Sequence, residues 1–171
     1  MINYPSQMKY GLLAGTILIV FKFIRFASFD EVSLTAILLD YISLIGLAAV
    51  CYYAVYQYRE NENHGLITLG NAFLLCMYIS LIASIMIGGF HYIHAKYIDP
   101  SRSEKLIQKT VEYMKGKNFS ETEMKQAIAN ARAYYTPMSQ AISGVAVIIY
   151  GLFISLVVAA IAKREKKDLK V

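Results

Sequence analysis

The sequence predicts an all-α integral membrane protein: four transmembrane helices with an amphipathic helical hairpin between the third and fourth. Three observations carry that prediction. The chain of 171 residues is 57% hydrophobic, above the roughly 45–50% of a soluble domain, and its mean hydropathy is +0.43. The apolar residues fall in long runs, and about 20 helical residues suffice to cross a bilayer core roughly 30 Å thick. The one extended stretch without such a run, residues 98–137, carries two helix-start signals instead. A single membrane domain over residues 1–171 is expected, with spans at about 10–29, 34–58, 66–96 and 138–162.

The first span follows a short polar lead, Met1 to Met8. Gly11 and Gly15 near its start have the spacing that lets a second helix backbone approach. Its last third is unusual, because Lys22 and Arg25 sit among Phe21, Phe23, Ile24 and Phe26. Asp30 to Ser33 is long enough only for a tight turn. The second span holds one acid, Asp40, and ends in Tyr52, Tyr53, Tyr56 and Tyr58, an interfacial aromatic belt.

The third span has no ionisable residue from Leu66 to Phe90, then turns polar through His91, His94 and Lys96 to Asp99-Pro100. Such a helix outruns the hydrocarbon core, so it must tilt, project, or begin as an interfacial segment at Leu66–Gly70. Ser80, Ser84 and Gly88 recur every fourth residue and predict a packing seam. In the fourth span Gly151, Ser155 and Ala159 do the same, after Thr136-Pro137 has opened the helix.

Between them, Ser101-Arg-Ser-Glu104 and Ser120-Glu-Thr-Glu123 both have the capping-box pattern. Leu106, Ile107, Val111 and Met114 follow the first, and Gly116 offers a stop. Met124, Ala127, Ile128 and Ala131 follow the second on one helical face. This hairpin can cover its own bundle, lie on the membrane surface, or dock a partner through those four residues.

The tail from Lys163 to Lys170 has five basic and two acidic residues, part of a net charge of +5. It reads as a topology anchor facing anionic headgroups, and nothing beside it fits a nucleic acid. Cys51 and Cys76 lie inside apolar runs without metal-ligand spacing, so they are expected as buried free thiols. Four spans place both termini on one side. Counting Lys and Arg near the span ends gives seven on that side and eight on the other, which does not decide. The density of the basic tail favours cytoplasmic termini.

The tight turn makes the first two spans antiparallel, which sets Asp40 at the depth of Phe23, beside Lys22. A Lys22–Asp40 ion pair follows, because a lone charge in hydrocarbon costs about 2.5–3.5 kcal/mol on insertion scales. Arg25, nearer the surface, can snorkel or meet Asp30 or Glu31. The third span returns its His91–His94 end to the same side. Lys22, Arg25, Asp40, His91 and His94 therefore form a candidate polar pocket for an anionic headgroup or phosphate. A proton-linked path and a helix-registering role are the other readings of these residues. His91 and His94 lack the further ligands a metal needs, so neither metal nor cofactor is expected. No Ser/His/Asp set, phosphate loop or dinucleotide fingerprint occurs, so catalysis is not expected.

Short motifs carry a family resemblance along most of the chain. Lys9-Tyr-Gly-Leu-Leu-Ala-Gly15 opens the first span and Tyr58-Arg-Glu-Asn61 follows the second. Gly70-Asn-Ala-Phe73 and Tyr97-Ile-Asp-Pro100 bracket the third. In these the chain resembles the bacterial membrane family catalogued as domain of unknown function 4199, found mostly in Bacteroidota. The resemblance implies an inner-membrane, four-helix protein with an extramembrane segment before the last helix, and it implies no activity. It also implies, by association only, a place in the genome near glycosyltransferases similar to polyprenyl-phosphate sugar synthases. The expected function is a non-enzymatic accessory or scaffold subunit of a membrane complex. The alternatives are an anchor or partner of a polyprenyl-phosphate glycosyltransferase, and a small transporter or channel subunit.

Overall fold

A computed structural model describes residues 4–28, 33–117 and 119–164. The elements are α1 (Tyr4–Ser28), α2 (Leu34–Gln57), α3 (Leu69–Ile93), α4 (Arg102–Lys115), α5 (Glu121–Tyr134), α6 (Pro137–Ile142) and α7 (Val145–Ala162). Wider π-helical turns, Tyr58–Glu62 and His94–Ile98, extend α2 and α3. Four helical runs are long and apolar enough to cross a membrane: Ser6–Ser28, Leu34–Glu62, Leu69–Ile98 and Pro137–Ala162. A helix satisfies most of its backbone hydrogen bonds within the segment, as a segment in lipid must. The chain is an all-α protein, as its sequence predicts, and it divides into two compact units.

The first unit comprises Met1–Ile87 and Val145–Val171. In it α1 packs along α2, and α2 along α7. Small residues set the closest approaches. A Cβ on Gly11 would lie 2.7 Å from the Cβ of Ile82, and one on Gly15 would collide with the sulfur of Met86. A Cβ on Gly151 would strike Ser80. The small-residue seams expected in the first, third and fourth spans are therefore real contacts, and Ser80, Ser84, Ser155 and Ala159 are buried along them. Leu47, Leu75 and Ile79 fill the interior beside them.

Cys51 and Cys76 meet across the α2–α3 crossing, each sulfur 3.9–4.0 Å from the other's carbonyl oxygen. Both are free and fully buried. A small membrane-permeant maleimide is therefore expected to titrate no thiol in mild detergent and two after denaturation in SDS. Labelling of either cysteine in the native state would contradict this crossing.

One end of the unit is closed by a set of long-range bonds. Ile67 and Arg164 exchange two backbone hydrogen bonds of 2.9 Å. Arg59 Nη1 donates to the Ala162 carbonyl at 3.0 Å, placing a cation at the C-terminus of α7, where carbonyls lack helical partners. Gln7, buried, donates to Glu62 at 2.8 Å. His64 and Gly65 both adopt positive φ, +52° and +76°, to turn the chain back. The pairing of Ile67 holds that segment extended, so α3 starts at Leu69 and not at Leu66.

Tyr58 departs from the expected belt. Tyr52, Tyr53 and Tyr56 are exposed, but Tyr58 is buried. It lies one turn beyond Ala54 and Val55, which share the interior face of α2.

The second unit is Gly88–Gly144. It holds the end of α3, the α4–α5 hairpin and α6. Ser120 and Glu123 form the expected capping box: the Ser120 hydroxyl accepts from the Glu123 amide, and the Glu123 carboxylate accepts from the Ser120 amide. Ser101 and Glu104 do not. Ser101 has helical dihedrals and donates its hydroxyl to Asp99 at 2.7 Å, so its side chain does not cap α4. The nearer carboxylate, two residues back, captures the hydroxyl.

Thr136 and Pro137 open the fourth span as expected, Thr136 as cap and proline in the first turn. The span is not continuous, however. It breaks at Ser143–Gly144, between α6 and α7. The Ser143 hydroxyl bonds back to the Gln140 carbonyl, and the Gly144 amide bonds the Ala141 carbonyl three residues back. A serine that competes for backbone acceptors, followed by glycine, weakens a helix at that point. The Ala141 carbonyl in turn sits where a Cβ on Gly88 would lie, 2.8 Å away.

Candidate functional site

Lys22 and Arg25 lie three residues apart on α1, hence on adjacent positions of one face. Asp40 faces them from α2, whose N-terminus is capped by Ser33 accepting from the Ala36 amide. Lys22 Nζ reaches Asp40 Oδ1 at 2.7 Å, and Arg25 Nε lies 3.6 Å from Asp40 Oδ2. The side chains are 21%, 16% and 36% exposed for Lys22, Arg25 and Asp40. Ser43 donates its hydroxyl to the Asp40 carbonyl.

Lys22 and Asp40 are each six residues from a helix end, about 9 Å along the axis. The charges thus lie within the terminal third of each span. The predicted Lys22–Asp40 pair is present, and Arg25 joins it. The predicted alternatives for Arg25, Asp30 and Glu31, lie outside the described residues, as does the turn from Asp30 except for Ser33. The basic tail is described only to Arg164.

His91 and His94 belong to the second unit. His91 Nδ1 lies 2.6 Å from the hydroxyl of Ser143, at the break in the fourth span. His94 is buried, its ring tilted 5.7 Å from that of Phe90. Of the five residues predicted to line one pocket, the structure brings Lys22, Arg25 and Asp40 together in the first unit, and His91 and His94 each have partners within the second. Among the described residues no group of three His, Cys, Asp or Glu is placed to hold a metal.

On α5 the four residues predicted to dock a partner, Met124, Ala127, Ile128 and Ala131, are half-buried, and no residue of α5 is buried fully. α5 packs with α4, in which Ile107 is buried. Two carboxylates outside the spans are tuned by local bonds. The Ser101 hydroxyl, and then the Lys105 ammonium at 3.6 Å, hold Asp99 below the usual carboxylate range. The Ser120 hydroxyl and amide do the same for Glu123.

A carboxylate whose pKa is depressed by folding contributes stability above its unfolded pKa, and that contribution disappears as pH falls through the folded value. Amide exchange at the start of α5, corrected for its intrinsic rate, is therefore expected to accelerate below about pH 4. Glu123→Gln keeps the capping geometry and should remove that acceleration. Exchange independent of pH in the wild-type chain would contradict the assignment.

Sequence reasoning missed Ser143, Arg59 and Gln7. Ser143-Gly144 inside an apolar run was a legible warning of a helix break. Arg59 and Gln7 gave no local signal, because their partners, Ala162 and Glu62, are distant in the chain.

Four apolar spans, with intramembrane charges neutralised between neighbouring helices, define a multi-pass helical membrane protein. The chain belongs to the family described as protein of unknown function, DUF4199, which it matches over residues 9–164. No curated protein and no solved structure matches it.

Proposed function

We propose that the protein is a non-enzymatic accessory subunit of a membrane complex, set in the inner membrane with cytoplasmic termini, and that its helical hairpin docks a second membrane protein. The division of the chain into one unit that holds most of the four spans and a second, Gly88–Gly144, that holds the hairpin with the adjoining span ends carries this reading. In that unit α5 buries no residue completely. Its apolar positions Met124, Ala127, Ile128 and Ala131 remain part-open. Several polar side chains in the spans have partners close by: Lys22 pairs with Asp40, the Ser155 hydroxyl donates to the Gly151 carbonyl, and His91 meets the Ser143 hydroxyl.

The test is purification from native membranes in mild detergent. One stoichiometric membrane protein should accompany the wild-type chain and be lost with Ile128→Glu, while circular dichroism of the variant stays helical. A wild-type chain that always purifies alone would sink the proposal. Cysteine reporters at Lys117 and beyond Val171, in a Cys51→Ala/Cys76→Ala background, fix the orientation. The hairpin reporter should label from the outside.

A second reading is favoured by the meeting of Lys22 and Arg25 at shallow depth. Two cations there suit the phosphate of a lipid-linked substrate, and the protein would then be the membrane partner of a polyprenyl-phosphate glycosyltransferase. Lys22→Met/Arg25→Met should in that case lower lipid-linked sugar synthesis. Unchanged synthesis removes this reading and leaves the first intact.

A further inference from the structure

The connection between α4 and α5 concentrates four side chains of one kind of chemistry. Tyr113, Lys115, Lys117 and Phe119 fall within seven residues, and no acid occurs between Glu112 and Glu121. Tyr113 is 65% exposed and Phe119 42%. Both lysines are exposed, and the Lys117 ammonium lies 6.0 Å from the centre of the Tyr113 ring. The hairpin keeps its aliphatic residues for its own seam, where Ile107 is buried, and leaves these two aromatic rings outside it.

Exposed rings beside lysines suit one solvent in particular. In the headgroup layer of a bilayer the ring lies among glycerol and acyl carbonyls, and the ammonium reaches the phosphates. An acidic protein surface would satisfy the lysines but offers no general reason for a flanking ring on each side. The chain also keeps the bilayer near. The third span ends at Ile98, four residues before α4, and the fourth begins at Pro137, three residues after α5. Each hairpin helix has 14 residues, about 21 Å, so the tether holds the tip at high effective concentration next to the membrane its own spans cross.

We propose that this tip is a membrane-surface contact: Tyr113 and Phe119 seat in the headgroup layer, and Lys115 and Lys117 engage the phosphates of anionic lipids. The contact is independent of the partner docked on the α5 face. Each lysine contributes about fivefold to the partition of the tip onto an anionic surface, and salt weakens that contribution.

The chain contains no tryptophan, so Phe119→Trp introduces a single probe. The full-length variant is reconstituted in vesicles of phosphatidylcholine with and without phosphatidylglycerol, each made again with lipid brominated near the top of the acyl chain. In anionic vesicles the emission should be blue-shifted, quenched by the brominated lipid and protected from aqueous acrylamide. Adding Lys115→Gln and Lys117→Gln should lower the lipid-quenched population, about fivefold for each charge removed where partition is unsaturated. Tyr113→Trp repeats the reading at the second ring, should the first variant fold poorly. Full acrylamide access without bromine quenching overturns the proposal. So does protection from both quenchers, which would place the tip against protein.

Discussion

Replacing Asp40 by leucine is expected to destabilise the bundle by about 3 kcal/mol, because Lys22 and Arg25 then share a shallow intramembrane site without their carboxylate. The loss comes mainly from the cations left behind, not from the attraction removed. Lys22→Leu in the same chain should therefore restore much of it. Recovery should be incomplete, since Arg25 also faces Asp40 at 3.6 Å. The triple variant with Arg25→Leu should come closest to the wild type. Unfolding in mixed micelles, followed by circular dichroism as SDS is raised, reads each step. Equal losses in the single and double variants would mean that the ion pair does not hold α1 to α2.

The second large effect is expected at Gly151. Its backbone lies so near Ser80 that an added methyl group would overlap a Cβ, which has no rotamer through which to retreat. Gly151→Ala should cost about 1–3 kcal/mol, the usual penalty for overpacking, despite alanine's better helix propensity. Ser80→Gly in the same chain removes the obstructing group and should return most of the loss. Ser80→Ala alone should be nearly neutral. The Ser80 hydroxyl is buried, and among the described residues it has no hydrogen-bond partner to lose. An additive double variant would show that α3 and α7 do not meet there.

The sequence made the spans legible because apolar run length answers directly to bilayer thickness. The small-residue seams were legible for a similar reason: Gly11, Gly15, Ser80 and Gly151 announce close approach through what they lack. The Lys22–Asp40 pair could be placed because a short turn fixes antiparallel depth. Depth alone does not say which partner a residue takes, and His91 and His94 show this. Their partners, Ser143 and Phe90, come from a helix break and from a neighbouring turn. Ser101 shows the limit of motif reading, since its pattern matched a capping box while Asp99 stood closer. Tyr58 was misplaced by composition, although its helical phase with Ala54 and Val55 pointed inward. Arg59 and Arg164 act on partners far along the chain, which no local pattern encodes.

The pairing of Ile67 with Arg164 has a consequence for biogenesis. The bundle is assembled from two separated stretches of chain, and the second unit, Gly88–Gly144, is synthesised between them. At roughly 5–20 residues per second, that interval lasts several seconds. Throughout it, the first three spans lack α7, so that the α7 side of Ser80 is uncovered, Ile67 lacks the Arg164 backbone it pairs with, and the Arg59 guanidinium lacks the Ala162 carbonyl it will bind. Insertion chaperones and membrane proteases meet that intermediate before the finished protein exists. Substitution of Arg59, which bonds the end of the fourth span, should therefore lower yield in cells more than it lowers the stability of molecules already assembled.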